Sequence, residues 1–371
     1  MNKKLTTSLI LGVTLGTNIA HANFSDWSEM LKAKSAEAVS WAKSVKAKID
    51  KNKLKGEAVI CLASEKKEWG NEVISLFEKK YPKVSLKVIY EGSGTLMDKL
   101  NDGNPDKCSV VSPASSVSAL SYTGYKADKA VELFYSPLVM VSNTEKLQVL
   151  EKKLGEKLSL SNIDDYAGKK WSEISPEHKN WGKNRVAFTN PDKSNSGLVT
   201  IMSKAYAFFD AYEPITLKEL NDKKFQEEMK SFWDNTEHSK TSTGKLTKSF
   251  LASTLRYTTI FTYENMVPAL LKKHGKKLTV TYPSYAVLND HPAWIMAKDE
   301  NEKKISQVLI NYFLEKDAQT VAAKYGFRPA NPDVSVSPAL SSFYQRDIGI
   351  VDLPTNNDIV EAIKDTAKGK W

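Results

Sequence analysis

The 371-residue chain contains two cysteines and five histidines, and their placement excludes most metal chemistry. His178, His238, His274 and His291 stand without ligand spacing, and neither Cys61 nor Cys108 has a His or Cys at a metal interval. No Gly-x-Ser-x-Gly occurs, and no Gly-Lys pair is followed by Ser or Thr, which excludes the esterase elbow and the P-loop. Beyond residue 22 no apolar run approaches the roughly 20 residues of a membrane span. Hydrophobic residues make up 41% and charged residues 26%, so neither a disordered nor a fibrous chain is expected.

The formal net charge of +9 is unevenly spread. Residues 23–56 hold eight lysines against Asp26, Glu29, Glu37 and Asp50, a net +4 in one arm. A surplus confined to one arm, in a chain that reads as exported, argues against a nucleic-acid partner. Export is read from the start of the chain. Lys3 and Lys4 lead into the apolar run Leu5–Ile19 and then the small-x-small site Ala20-His21-Ala22. This is the pattern of a signal peptide over 1–22, cleaved after Ala22, and it places the mature protein in the periplasm. Export permits a disulfide between Cys61 and Cys108, but two buried thiols satisfy the spacing equally well.

The arm 23–56 contains an amphipathic helix candidate. Trp27, Leu31, Ala38, Trp41, Val45 and Ile49 recur at helical steps between lysines, and Ser25 is a plausible N-cap. Such a helix either packs across its own protein or docks on a partner or an anionic membrane. From Glu57 onward strand and helix alternate: Ala58–Ala63, Lys67–Lys80, Val84–Tyr90, Leu96–Leu100 and Cys108–Ser112. This implies a parallel sheet with helices on both faces, with ligands beyond the C-terminal strand ends. Those ends are Ser64-Glu65, Gly92-Ser93-Gly94-Thr95 and Pro113-Ala114-Ser115-Ser116, all small and hydroxyl-rich. The stretch Arg185–Tyr212 repeats the design: a strand, the loop Asn190–Gly197, then a helix. Here Ser194 or Asn195 either caps its own helix or leaves free N–H groups for an anion.

Two long β segments, Val131–Ser142 and Thr279–Ala297, bracket a middle block. One α/β domain is thus inserted into another through two crossing hinge strands, and hinged lobes close over ligands. The expected division is 57–136 for the first part of lobe 1 and 137–282 for lobe 2. Residues 283–371 hold the second part of lobe 1 and a C-terminal tail.

At this point the chain resembles the type II periplasmic solute-binding proteins of bacterial ABC transporters, over roughly 57–335. The resemblance is carried by Glu91-Gly92-Ser93-Gly94, Pro113-Ala114-Ser115-Ser116, Ser136-Pro137-Leu138-Val139, Asn190-Pro191 with Ser194–Gly197, and Tyr263-Glu264-Asn265. Tyr282-Pro283, Asp290-His291-Pro292 and Tyr325–Pro332 complete it. It implies a monomer of two α/β lobes with a small-molecule ligand in the cleft, delivery to an inner-membrane permease, and no cofactor, metal or catalysis. The feel is closest to the molybdate, sulfate and phosphate binders, which favours an oxyanion. By position, the resemblance assigns the ligand to Ser64, Ser93, Gly94, Thr95, Ser115, Ser116, Ser194, Asn195, Ser196, Tyr263 and Glu264. Glu264 fits poorly, since a carboxylate repels an ionised oxyanion; its other role is to bond the hinge strands. Two alternatives stand beside this. One is a secreted interaction protein that works through the basic arm. The other is a serine hydrolase built on Ser64-x-x-Lys67, Tyr263-x-Asn265 and Lys240-Thr241-Ser242, although those boxes are in the wrong order.

Overall fold

The computed structural model describes residues 54–344 and 348–371. The signal peptide and the helix expected over 24–50 lie outside the described residues. The strands, in chain order, are β1 Gly56–Ala63, β2 Val84–Glu91, β3 Val110–Ser112, β4 Val131–Glu132, β5 Phe134–Asn143 and β6 Val186–Thr189. They continue with β7 Glu237–Ser239, β8 Thr259–Tyr263, β9 Leu278–Thr281, β10 Leu288–Asn289, β11 Pro292–Ile295 and β12 Arg328–Pro329.

Two sheets result. The first has the order β2-β1-β3-β11-β4, with β1 parallel to β2 and β3 and with β11 antiparallel to β3 and β4. The second has the order β10-β5-β8-β6-β7. Its central strand β5 is buried at every residue and also pairs with β9 and β12. Strands buried on both faces read as continuous apolar runs, which is the composition of β1, β5 and β8.

Each sheet has its own core. Trp69 and Phe77 of the helix Lys67–Lys80, and Phe313 of Glu300–Leu314, pack with Ile60 of β1 and with Phe134 and Phe327 to form the core against the first sheet. Phe188, Trp171, Tyr206, Phe225 and Phe232 build the second. The chain passes between sheets at Leu133, between β4 and β5, and again at Asp290-His291, between β10 and β11. These are the two crossings expected from the long β segments. The last part of the chain departs from the expected division. Pro292–Phe327 serves the first core, but residues 348–371 return to the second. There Val360, Ile363 and Ala367 of the helix Asn357–Ala367 are buried against Asn195–Phe209 and Lys223–Asn235. An amphipathic stripe needs a partner surface, and those two helices supply it.

Cys61 in β1 and Cys108 just before β3 are joined as a disulfide with a Cα–Cα distance of 5.7 Å. The sequence left bridge and free thiols open, because spacing says nothing about which strands lie side by side.

Candidate functional site

Loops from the two halves abut where the strands of both sheets end. A Cβ on Gly92 would lie 2.2 Å from the carbonyl oxygen of Lys193, and one on Gly94 equally close to that of Asp192. Two ion pairs bridge the same seam: Lys193 Nζ to Asp98 at 2.6 Å and Lys248 Nζ to Glu68 at 3.8 Å. The halves are therefore closed on each other.

At the centre is Asn195. Its Oδ1 accepts from Ser115 Oγ at 2.6 Å, across the seam. Its Nδ2 donates to Tyr263 OH at 2.9 Å and to Asn289 Oδ1 at 2.6 Å. Ser196 Oγ shares hydrogen bonds with Thr189 and Thr243, both at 2.8 Å, and Ser194 Oγ pairs with Thr243 at 3.1 Å. Five residues expected at the ligand, Ser115, Ser194, Asn195, Ser196 and Tyr263, thus come together in one buried network.

The N-cap expectation for Ser194 fails, since its side chain makes no cap hydrogen bond. The helices Ser93–Asn101 and Thr243–Ala252 also begin without a side-chain cap. Elsewhere Asn143, Asp222, Asp299 and Asn356 do cap their helices. The first N–H groups of an uncapped helix point outward with a partial positive charge.

Three expected residues are committed to other bonds. Ser93 Oγ accepts from the Ala114 backbone at 3.0 Å. Ser116 gives its backbone N–H to Asp290 at 2.7 Å and its hydroxyl to the same carboxylate. Glu264 is bound in bidentate fashion by Arg328, at 2.7 and 2.6 Å, and also by the Tyr282 hydroxyl. It is fully buried and ties β12 to the end of β8, so its carboxylate is already engaged within the fold.

Beside the seam lies a cavity of about 570 Å³. Ser64, Glu65, Gly92, Thr95, Ser242, Gly244 and Asn265 supply its polar lining, with Trp69, Tyr90, Met266 and Tyr325 as its apolar lining. A second cavity, of about 320 Å³, opens between Gly94, Asp192, Asn195 and the C-terminal helix. Of the expected residues, Ser64 and Thr95 face the larger cavity, and Gly94 and Asn195 the smaller.

Sequence reasoning missed the run Lys240–Gly244 as a binding loop. It follows β7 and opens a helix, the same design as the other loops, and its Ser, Thr and Gly content was the available signal. Ser64, Lys67, Asn265 and Lys240–Ser242 all border the one cavity, as a hydrolase constellation would. Among the described residues Ser64 Oγ has no hydrogen-bond partner, whereas a serine nucleophile is activated by an adjacent base.

Below the cavity sits a buried polar cluster. Burial pushes the Glu65 carboxyl up, partly opposed by the Lys66 charge. Burial and Lys66 hold His291 well below the usual range. Their nearest approach is 3.9 Å. Burial lowers Lys66 to about 7, while its Nζ donates to Ser112 O, Ser112 Oγ and Pro113 O at 2.8, 2.6 and 2.7 Å. Lys66 thereby fixes the loop that carries Ser115. Among the described residues no cluster of His, Cys, Asp and Glu could hold a metal, and no helix is long and apolar enough to cross a membrane.

A family model for bacterial extracellular solute-binding proteins matches residues 58–328. No curated protein matches the chain. Among solved structures, the sulfate-binding protein SubI from Mycobacterium tuberculosis is 15% identical, with a TM-score of 0.57 over 80% of this chain and 94% of that one. A periplasmic thiamin binding protein is 14% identical, with a TM-score of 0.62 over 86% and 98%. The ferric binding protein from Campylobacter jejuni is 12% identical, with a TM-score of 0.59 over 84% and 98%. These likenesses are at the level of fold, the two-lobed type II arrangement seen in the two sheets and their crossings. The match over most of the chain shows that the protein belongs to the bacterial extracellular solute-binding proteins.

Proposed function

We propose that this chain is the periplasmic receptor of an ABC importer, exported by the leader over 1–22, which closes its two lobes over a small anionic solute. The lobes are 57–136 with Pro292–Phe327, and 137–282 with the C-terminal helix. One observation carries the anion. Two helices from opposite halves, Ser93–Asn101 and Thr243–Ala252, begin without a side-chain cap, and Gly92 and Thr95 at one start and Ser242 and Gly244 at the other line the same cavity. Uncapped helix starts hold phosphate, sulfate or carboxylate through backbone N–H groups and the helix dipole. Ser64 and Thr95 add hydroxyls from the first half, and the network around Asn195 holds the lobes closed. Binding then shifts an open–closed equilibrium by the differential affinity of the solute for the closed state.

Thermal melting of the ligand-stripped mature protein against oxyanions, organic acids, sugars, amino acids and polyamines tests this. A ligand at a hundred times its dissociation constant stabilises by about 2.7 kcal/mol. A shift with anions is expected, and Thr95→Asp should abolish it without lowering the melting point of the free protein. Shifts confined to amines or sugars would refute the anion assignment.

A further inference from the structure

We infer that the solute is a small organic phosphate, a phosphomonoester on an apolar body, rather than a bare inorganic oxyanion. The inference rests on reading the cavity as an anion site and adds what the rest of that cavity would hold.

Size comes first. At about 570 Å³, the cavity falls in the range of roughly 300–1,000 Å³ typical of organic ligands. Its far side, from Trp69 and Tyr90 to Met266 and Tyr325, would stay wet and unsatisfied around an inorganic ion, because apolar surface gains only by burial against an apolar body.

Charge comes second. Of the cavity's acids, Glu68 faces Lys248 at 3.8 Å and Glu91 faces Lys99 at 2.6 Å. Lys193 is matched by Asp98. Lys67, Lys240 and Lys245 also line the cavity and have no acidic partner among the described residues. Three uncommitted ammonium groups and two uncapped helix starts suit a group carrying nearly two negative charges, as a phosphomonoester does at neutral pH.

Unpartnered buried groups come third. Glu65 is 7% exposed and Trp69 1%; both line the cavity, yet Glu65 Oε1 and the Trp69 indole N–H lack a hydrogen-bond partner. Buried polar atoms are nearly always satisfied, and a ligand oxygen reaching the Trp69 indole N–H would satisfy it; Glu65 Oε1 instead faces His291 Nδ1 at 3.9 Å. Burial pushes the Glu65 carboxyl up, which lessens its repulsion of an anion.

The test is calorimetry on the ligand-stripped mature protein with phenyl phosphate, inorganic phosphate, sulfate and phenol. Phenyl phosphate is expected to bind at least tenfold more tightly than inorganic phosphate. Met266→Gln should remove most of that advantage and leave inorganic phosphate unchanged, whereas Lys245→Glu should weaken both phosphates. Inorganic phosphate or sulfate binding as tightly as phenyl phosphate would overturn the organic body and spare the anion site. Silence from all three anions, or binding of phenol alone, would overturn both readings.

Discussion

Gly94 and Asp192 meet so closely that a Cβ on the glycine would stand 2.2 Å from the aspartate carbonyl oxygen. Gly94 lies inside the helix Ser93–Asn101, where alanine is the better residue by up to about 1 kcal/mol. The approach of the other half is what requires glycine. Gly94→Ala should therefore weaken solute binding at least tenfold while the melting point of the free protein holds or rises. Calorimetry and melting together check this, and unchanged affinity would mean that the halves need not meet here during capture.

The pair Glu264–Arg328 offers a second prediction. Both side chains are sealed from solvent, so removing the Arg328 charge leaves the Glu264 carboxylate buried without its counter-ion. Arg328→Met should cost about 3–5 kcal/mol in urea unfolding. Adding Glu264→Gln to that variant should restore a good part of the loss. A double variant as damaged as the sum of its singles would show that the two groups are not coupled.

The bridge Cys61–Cys108 closes a separation of 47 residues. Replacing both cysteines with alanine should lower stability by about 2–4 kcal/mol, read as a lower melting temperature. Reductant should reproduce the drop in the parent and do nothing to the variant.

His238 sets a pH dependence. Its ring stacks on Trp233 at 3.6 Å and lies against Phe188, and burial pushes it down to about 4. The unfolded chain takes up this proton near 6.5, so the stability tied to the neutral ring is complete above that pH. It is lost as pH falls from 6.5 to 4. The ring is partly exposed, and solvent screening reduces the effect to on the order of 1 kcal/mol. His238→Phe should flatten the acid limb of the stability–pH curve by that amount. An identical limb would place the titration elsewhere.

Much of this architecture could be read from residue order. Alternation of apolar runs with helical stripes placed β1, β2, β8 and the helices around them, because those periods are local. The loops at Ser64, Gly92, Ser115 and Asn190 were found from their turn chemistry. What stayed hidden depends on distant pairings. Ser93 and Ser116 look like ligand hydroxyls in sequence, but Ala114 and Asp290 engage them. Glu264 could not declare its partner across 64 positions. The three-residue strand Glu237–Ser239 has too little pattern to announce itself, so in sequence Lys240-Thr241-Ser242 stands out only as a fragment of a hydrolase motif.

The disulfide and Lys66 hold the same two strands, β1 and β3, at opposite ends of β3. One ties β1 to the start of β3, and the other hydrogen-bonds Ser112 and Pro113. Ordering that strand pair is completed when the chain folds and oxidises, not when a solute arrives, so the first half meets its cargo as a finished surface. Affinity then becomes conditional on maturation.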